Sequence, residues 1–349
     1  MVSHAFLTVP YYRETMNRMG LRPADFRTAS DLSLLPVIER AELQRDPGYF
    51  ESTFPRRGRD LDVRSGGSTG APRVIKWDTG AIFQNAGHAE RERSIIAAKV
   101  GKFVGYRETV IASRFGAEQD VQAIYREHAI LPRRASVQYQ HLSLMDSPAH
   151  NVALLNEFQP HVIRSYGSYL GQLFNWLQVS GTEFSRPRVV FYDADELSPD
   201  ARKLIADHFG IEVLSAYQAV EAFKIGFECD HHTGLHLNID LYPVRMVDKD
   251  DREVEAGTAG QILVSNLVNK ATVLLNYRIG DVGSMIAGDC PCGRKLPLMS
   301  YIEGRLDDWI LLASGETIHP QSIRTIFTNE TAVKQYQVVQ RAVNQFSVE

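Results

Sequence analysis

The chain has 349 residues, of which 44% are hydrophobic and 23% charged, with a formal net charge of −4 and a pI of about 6.3. That balance excludes a general nucleic-acid binder and a polybasic membrane anchor, because both need a surplus of basic side chains. No apolar run approaches the roughly 20 residues that cross a bilayer. Residues 1–7 also lack the basic start and long apolar core of a signal peptide, so the expected compartment is the cytoplasm.

The first sixty residues read as helical and irregular. Val9-Pro10-Tyr11-Tyr12 leads into a helix that Gly20 can end, since glycine accepts the left-handed cap conformation. Pro23, Pro36 and Pro47 punctuate the next thirty residues or so. From about 109 to 214, strand-like β-branched runs at 109–111, 161–163 and 189–192 alternate with helical stretches around 148–158, 169–179 and 199–209. Ser198-Pro199 opens the last of these as cap and first-turn proline. Such alternation implies crossover units and an α/β fold, with a largely parallel sheet covered by helices. After about residue 234, strands at 235–239, 242–248, 260–267, 271–277 and 282–286 come in close succession, which predicts an antiparallel or barrel-like region. From Gly304 onward one strand, one helix and one strand are expected. Residues 1–304 therefore read as a large domain and 305–349 as a small α+β subdomain.

The densest chemical signal is Ser65-Gly66-Gly67-Ser68-Thr69-Gly70, continued by Ala71, Pro72 and Arg73. Glycines let backbone N–H groups approach an anion closely, the hydroxyls add donors, and Arg73 adds charge. The Gly-Lys-Ser/Thr of a Walker loop is absent. Taken alone, such a segment also reads as a surface turn. The strand-like run at 73–77 makes it resemble a hairpin tip.

This segment resembles the phosphate loop of the adenylate-forming superfamily, with Arg73 where lysine is usual. Four further segments resemble that superfamily's motifs in the same order, in the form of its phenylacetate–CoA ligase branch. They are 166–170 from Tyr166, the turn Ala194-Asp195-Glu196-Leu197, the run Tyr217-Gln218-Ala219-Val220-Glu221, and Tyr277-Arg278-Ile279-Gly280-Asp281. The resemblance implies an ATP-dependent ligase that joins a carboxylic acid to AMP. It places Ala194, Asp195 and Glu196 beside adenine, Tyr217 on the nucleotide or acyl group, and Mg²⁺ on Glu221. It assigns Asp281 and Arg305 to the ribose, and Glu221 and Arg73 to catalysis. A carboxylate suits a vicinal diol because it offers several acceptor sites, and Mg²⁺ takes one or two protein carboxylates. Singly, Asp281 reads equally as a strand-end acid, Glu221 as a solvated loop acid and Tyr217 as a core aromatic. Gln218 and Val220 depart from the motif, and Val220 removes a hydroxyl that would touch phosphate.

All three cysteines fall in two clusters, Cys229 ahead of three histidines and Cys290-Pro291-Cys292 before Gly293. Three thiolates and a histidine make the closed donor set of structural Zn²⁺. The branch resemblance favours His236, with His231 and His232 as alternatives. The acyl pocket implied by the branch involves Tyr166, Tyr192, Ala216 and Phe223, which suits a small aromatic carboxylic acid. Lys224 is a candidate partner for a second acidic group on that acid.

Gly304-Arg305-Leu306-Asp307-Asp308 resembles the family hinge, but the chain then runs only to Glu349, so the lid lysine of complete enzymes has no counterpart. The resemblance thus suggests either a truncated ligase or a short form of the kind found in antibiotic biosynthesis, with coenzyme A, a carrier protein or an acceptor enzyme receiving the acyl group. Homodimers are common in the branch. Two alternatives stand beside it: a nucleotide- or acyl-adenylate-binding protein without turnover, and acyl transfer as in acyl-protein synthetases.

Overall fold

The alternating segment from residue 107 onward builds the parallel centre of one large sheet. The computed structural model describes residues 1–55, 60–64, 73–112, 121, 124, 136–193, 195–305, 310, 311, 313, 317, 318, 338–343 and 345–348. Helices α1 (Val2–Thr8), α2 (Pro10–Met19) and α3 (Arg40–Arg45) precede a hairpin of β1 (Leu61–Arg64) and β2 (Val74–Trp77). Gly20 ends α2 at φ 72°, the left-handed geometry expected of it. Helix α4 (Thr79–Val100) comes next, capped by the Asp78 carboxylate, which accepts from the Ala81 amide at 2.9 Å.

Strands β3 (Arg107–Ala112), β4 (Gln138–Ser143), β5 (Val162–Tyr166), β6 (Val189–Asp193) and β7 (Glu212–Ala219) are mutually parallel. Helices α5 (Pro148–Phe158), α6 (Gly167–Ser180) and α7 (Pro199–Lys203) lie between them in the chain. Ser198 caps α7 as read from the sequence. The sheet continues antiparallel through β8 (Ala222–Glu228) and β9 (Leu235–Leu237). With two short strands beyond these it has nine strands, and β4 forms the far edge.

Strand alternation separates two cores. Val189 and Phe191 face Ile95, Ile96 and Val100 of α4, while Val190 faces Leu170, Leu173 and Phe174 of α6. Both faces of a parallel sheet are covered, so its strands read as continuous apolar runs. The α/β architecture expected from the sequence is the one observed. The 22-residue helix α4 was not anticipated. It carries Gly80, Gly87 and the run Glu90-Arg91-Glu92-Arg93, and it buries Asn85 and Glu92. Buried polar groups blur an amphipathic period.

The strand-rich region is an open antiparallel sheet of β10 (Val244–Val247), β11 (Gly260–Val264), β12 (Tyr277–Gly283) and a short strand, Gly304–Arg305. No barrel is needed. Segment 271–276, read as a strand, bonds instead to residues 50–52 and to Lys76. The buried Tyr12 hydroxyl holds it, donating to Val273 O and accepting from Leu275 N. A third core joins these parts through Tyr12, Ile38, Trp77, Tyr217, Leu274 and Tyr277. Beyond Arg305, paired strands occur at Ile310–Leu311 with Thr317–Ile318 and at Val338–Ala342 with Gln345–Val348. The helix expected there lies outside the described residues, as does Asp307. Among the described residues, no helix is long and apolar enough to cross a membrane.

Candidate active site

Strands β1 and β2 run antiparallel with Arg64 opposite Val74, so the glycine-rich segment joins a hairpin. Ser65, Gly66, Gly67, Ser68, Thr69 and Gly70 lie outside the described residues, as does Ala194. Arg73 stands immediately before β2. Its Nη1 lies 2.7 Å from Glu221 Oε1 and donates to the Tyr277 hydroxyl at 2.7 Å. That hydroxyl in turn donates to Glu221 Oε1 at 3.3 Å. Three distant segments thus meet in one buried polar triangle.

Val220 and Glu221 form the two-residue turn between β7 and β8, with Ala219 paired to Ala222. The turn is fastened by its backbone: Trp77 Nε1 donates to Val220 O, and Asn266 Nδ2 donates to Glu221 O, both at 2.9 Å. Glu221 is only 2% exposed. Burial pushes its carboxyl upward and the Arg73 guanidinium opposes that push. The Val220 side chain packs against the core, which gives the departure from the motif a structural role.

Tyr217, near the end of β7, donates its hydroxyl to Asp281 Oδ2 at 2.8 Å. Asp281 on β12 sits in register with Arg305, whose side chain lies outside the described residues. The expected pair of nucleotide residues is therefore assembled across two sheets. Phe223 stacks on Trp77, with centroids 4.0 Å apart and rings 12° from parallel. Trp77, Tyr277 and Asn266 were not singled out from the sequence. Tyr277 at least lay inside a recognised motif.

The turns after β5 and β6 are locked together. A Cβ on Gly167 would lie 2.4 Å from Leu197 N and 2.5 Å from the Glu196 carbonyl carbon, so only glycine fits. Asp195 accepts from the Ser168 amide at 3.1 Å and from its hydroxyl, capping α6. Glu196 is exposed. An open pocket of about 330 Å³ beside this turn is lined by Leu144, Tyr166, Ser168, Tyr169 and Gln172.

The expected acyl residues do not form one wall. Tyr166 and Tyr192 pack on the α6 side of the large sheet, Ala216 on the α4 side and Phe223 against the third core. Lys224 Nζ lies 3.2 Å from Glu92 Oε2. Glu92 also meets Arg164 at 2.7 Å, and Arg164 reaches Glu108 at 2.9 Å and Asp193 at 3.3 Å. The lysine thus serves a buried charge cluster inside the fold.

The thiol and imidazole atoms of Cys229, His236, Cys290 and Cys292 all lie within 4.8 Å of one another. Cys229 and Cys290 sulfurs are 3.6 Å apart, and Cys292 Sγ is 3.4 Å from His236 Nε2. A tetrahedral ion with bonds of about 2.3 Å to sulfur and 2.0 Å to nitrogen needs edges of roughly 3.5–3.8 Å. The donor set fits. His232 is instead held by Glu212 at 2.9 Å and Glu228 at 2.7 Å, and His231 is exposed, which leaves His236 as the fourth donor. Gly234, at φ 135°, delivers it: a Cβ there would meet Met299 O at 2.4 Å.

No protein-family model matches the chain. The phenylacetate–coenzyme A ligase of Thermus thermophilus is 25% identical over 351 aligned positions, covering 98% of this chain and 76% of that protein. The phenylacetate–coenzyme A ligase of Escherichia coli is 25% identical over 342 positions, covering 92% of this chain and 72% of that protein. Among solved structures, a 2-hydroxyisobutyryl-CoA ligase in the postadenylation state gives a TM-score of 0.76 at 17% identity, over 99% of this chain and 74% of that one. At that identity the likeness speaks for the fold. Taken with the ordered motifs, these similarities liken the chain to the adenylate-forming superfamily and, within it, to the phenylacetate–CoA ligase branch.

Proposed function

We propose that the chain activates a carboxylic acid by adenylation: a carboxylate oxygen attacks the α-phosphorus of ATP, the bond to the bridging oxygen breaks, and pyrophosphate leaves. The observation that carries this reading is the Arg73–Glu221–Tyr277 triangle, built from three segments, together with the Tyr217–Asp281 pair on β7 and β12. Asp281 offers acceptors to a ribose diol, and Arg73 offers a fork of donors to phosphate. Magnesium held by Glu221 would neutralise charge on the phosphates. Attack by one anion on another needs that neutralisation in place beforehand.

The acid is proposed to be aromatic, a reading supported by the Trp77–Phe223 stack beside the Glu221 turn and by Tyr166 at the open pocket. Coenzyme A is the proposed acceptor, by analogy with the curated relatives. The Cys229, His236, Cys290 and Cys292 cluster is proposed to hold a structural zinc that ties the turn after β8 to the segment around Cys290. Acid-dependent exchange of labelled pyrophosphate into ATP, run on aryl and aliphatic acids, tests the reading. Exchange with aryl acids supports it, and its absence across the panel with intact ATP binding would favour binding without turnover. One observation favours that second reading: Val220, partly buried against the core, has no hydroxyl where the motif carries one.

A further inference from the structure

Between α4 and the large sheet, three carboxylates face two cations: Glu92 of α4, Glu108 of β3 and Asp193 of β6 against Arg164 of β5 and Lys224 of β8. Charge taken from water without a full set of partners is costly. Arg164 serves all three acids, and its Cζ lies 3.9 Å from the Phe191 ring centre, which fixes the guanidinium plane. Glu92 receives both cations, Arg164 at 2.7 Å and Lys224 at 3.2 Å. Burial is the largest influence on its carboxyl, yet Lys224 and Arg164 together outweigh it and hold the group below its ordinary range. Asp193 fares differently. Among the described residues its one ion pair is with Arg164 at 3.3 Å, the longest of that guanidinium's three. Burial pushes the Asp193 carboxyl up, and the same two cations do not restore it.

The cluster is closed at one end and reached by solvent at the other. Glu108 and Glu92 are 4% and 6% exposed, whereas Asp193 and Lys224 are 13% and 19% exposed. The reachable end lies toward the candidate active site. Asp193 ends β6 just ahead of Asp195 and Glu196, and Lys224 follows Glu221 by three residues in the β7–β8 hairpin, roughly 10 Å along a strand. We propose that Asp193 receives a positively charged amino group of the acid, so that the substrate is a carboxylic acid bearing a second, basic substituent. The ammonium supplies the third cation of the cluster, while the carboxylate at the other end of the molecule is left to attack phosphorus. Lys224 is drawn onto Glu92, which leaves Asp193 as the acceptor at the rim. A second carboxylate on the acid would set four acids against two cations and is disfavoured. This inference rests on the adenylation reading and names the class of its acid.

The test is labelled pyrophosphate exchange by the full chain with acids matched in shape and differing in charge. An aromatic set is para-(aminomethyl)benzoate, para-ethylbenzoate and para-(carboxymethyl)benzoate, and an aliphatic set is aminohexanoate, heptanoate and pimelate. Within whichever set is used, kcat/KM should be about tenfold to a hundredfold higher for the amino-bearing acid than for its neutral match, the factor carried by a hydrogen bond to a charged group. The dicarboxylate should be the poorest. In Asp193→Asn, which keeps the shape and removes the charge, the ratio of amino-bearing to neutral acid should fall to about one. The wild-type ranking needs no variant: equal values for the amino-bearing and neutral acids, or a preference for the neutral acid or the dicarboxylate, overturns the substrate class while leaving adenylation standing. A preference for the amino-bearing acid that survives Asp193→Asn overturns the assignment to Asp193. No exchange with any acid, beside intact ATP binding, overturns the adenylation reading and this inference with it.

Discussion

The Tyr217 hydroxyl donates to Asp281 Oδ2 across 2.8 Å, tying the central parallel-to-antiparallel strand β7 to β12 of the neighbouring sheet. The bond occupies one acceptor site of the carboxylate and orients the rest. A carboxylate facing a ribose diol is useful only when so held. Asp281→Ala should therefore weaken ATP binding by tenfold or more, since hydrogen bonds to a charged group contribute about 1.5–3 kcal/mol. Tyr217→Phe, which removes orientation but keeps the carboxylate, should weaken it only a few-fold. Calorimetry on both variants checks the ordering.

Glu221 couples activity to stability. Glu221→Ala leaves the Arg73 guanidinium buried without its partner, a change that costs about 3–5 kcal/mol when a buried pair is broken. Glu221→Gln keeps the shape and an acceptor, and should cost less. On the proposed reading both should lower pyrophosphate exchange by about a hundredfold or more, because each removes the charged carboxylate that would hold magnesium. Denaturant midpoints separate the two effects: equal stability losses for Ala and Gln would contradict the buried-pair account.

Gly167 is a steric requirement. Its added Cβ would fall 2.4 Å from Leu197 N and 2.7 Å from the Glu196 carbonyl oxygen, both backbone atoms that cannot step aside. Gly167→Ala should lower stability by about 1–3 kcal/mol, the usual cost of overpacking. It should also disturb the Asp195–Ser168 cap. A melting temperature equal to wild type would show that the two turns are less tightly joined than this geometry requires.

His232 makes stability depend on pH. Its imidazole is raised from the ordinary 6.5 to about 9, first by its bond to Glu212 and then by Glu228, against some desolvation. Arg202 also faces it, at 3.2 Å from Nδ1. A raised folded value means stability that is full below about 6.5 and disappears as pH rises through about 9. The melting-temperature gap between wild type and His232→Asn should thus be widest at pH 6 and close by pH 9.5. A gap that widens with pH would reverse the sign and refute the assignment.

The cysteine cluster predicts bound metal. The purified protein should carry about one zinc per chain by elemental mass spectrometry, and Cys290→Ser should lose it. Stripping the ion with a chelator should lower the melting temperature by several degrees, because binding to the folded state alone is stabilising. Metal-free protein with an unchanged melting curve would reduce the cluster to packed thiols.

Much of the architecture is legible in the amino-acid order. The apolar runs at 161–163 and 189–192 fall on the adjacent parallel strands β5 and β6, as β-branched segments between helices should. Gly20 and Ser198 end and begin helices as their cap chemistry predicts. Helix α4 escapes because its sheet-facing side includes Glu92, whose burial depends on Arg164 and Lys224 from strands far away in the chain. The region after β9 opens into a sheet where a barrel was equally compatible with short close strands. Spacing alone carries no information on closure.

At the site, the sequence by itself determined the residue types: a glycine-rich hairpin leading to Arg73, the acids Glu221 and Asp281, and the three thiols with neighbouring histidines. These are local properties of short segments. The tertiary structure decided which of them meet. It set Arg73 against Glu221 under the Tyr277 hydroxyl, brought His236 rather than His231 or His232 to the three thiols, and turned Lys224 inward onto Glu92. Each of those choices reflects burial. A charged or polar group taken from water must find its partner in three dimensions, and the partner comes from whichever strand the fold brings within reach.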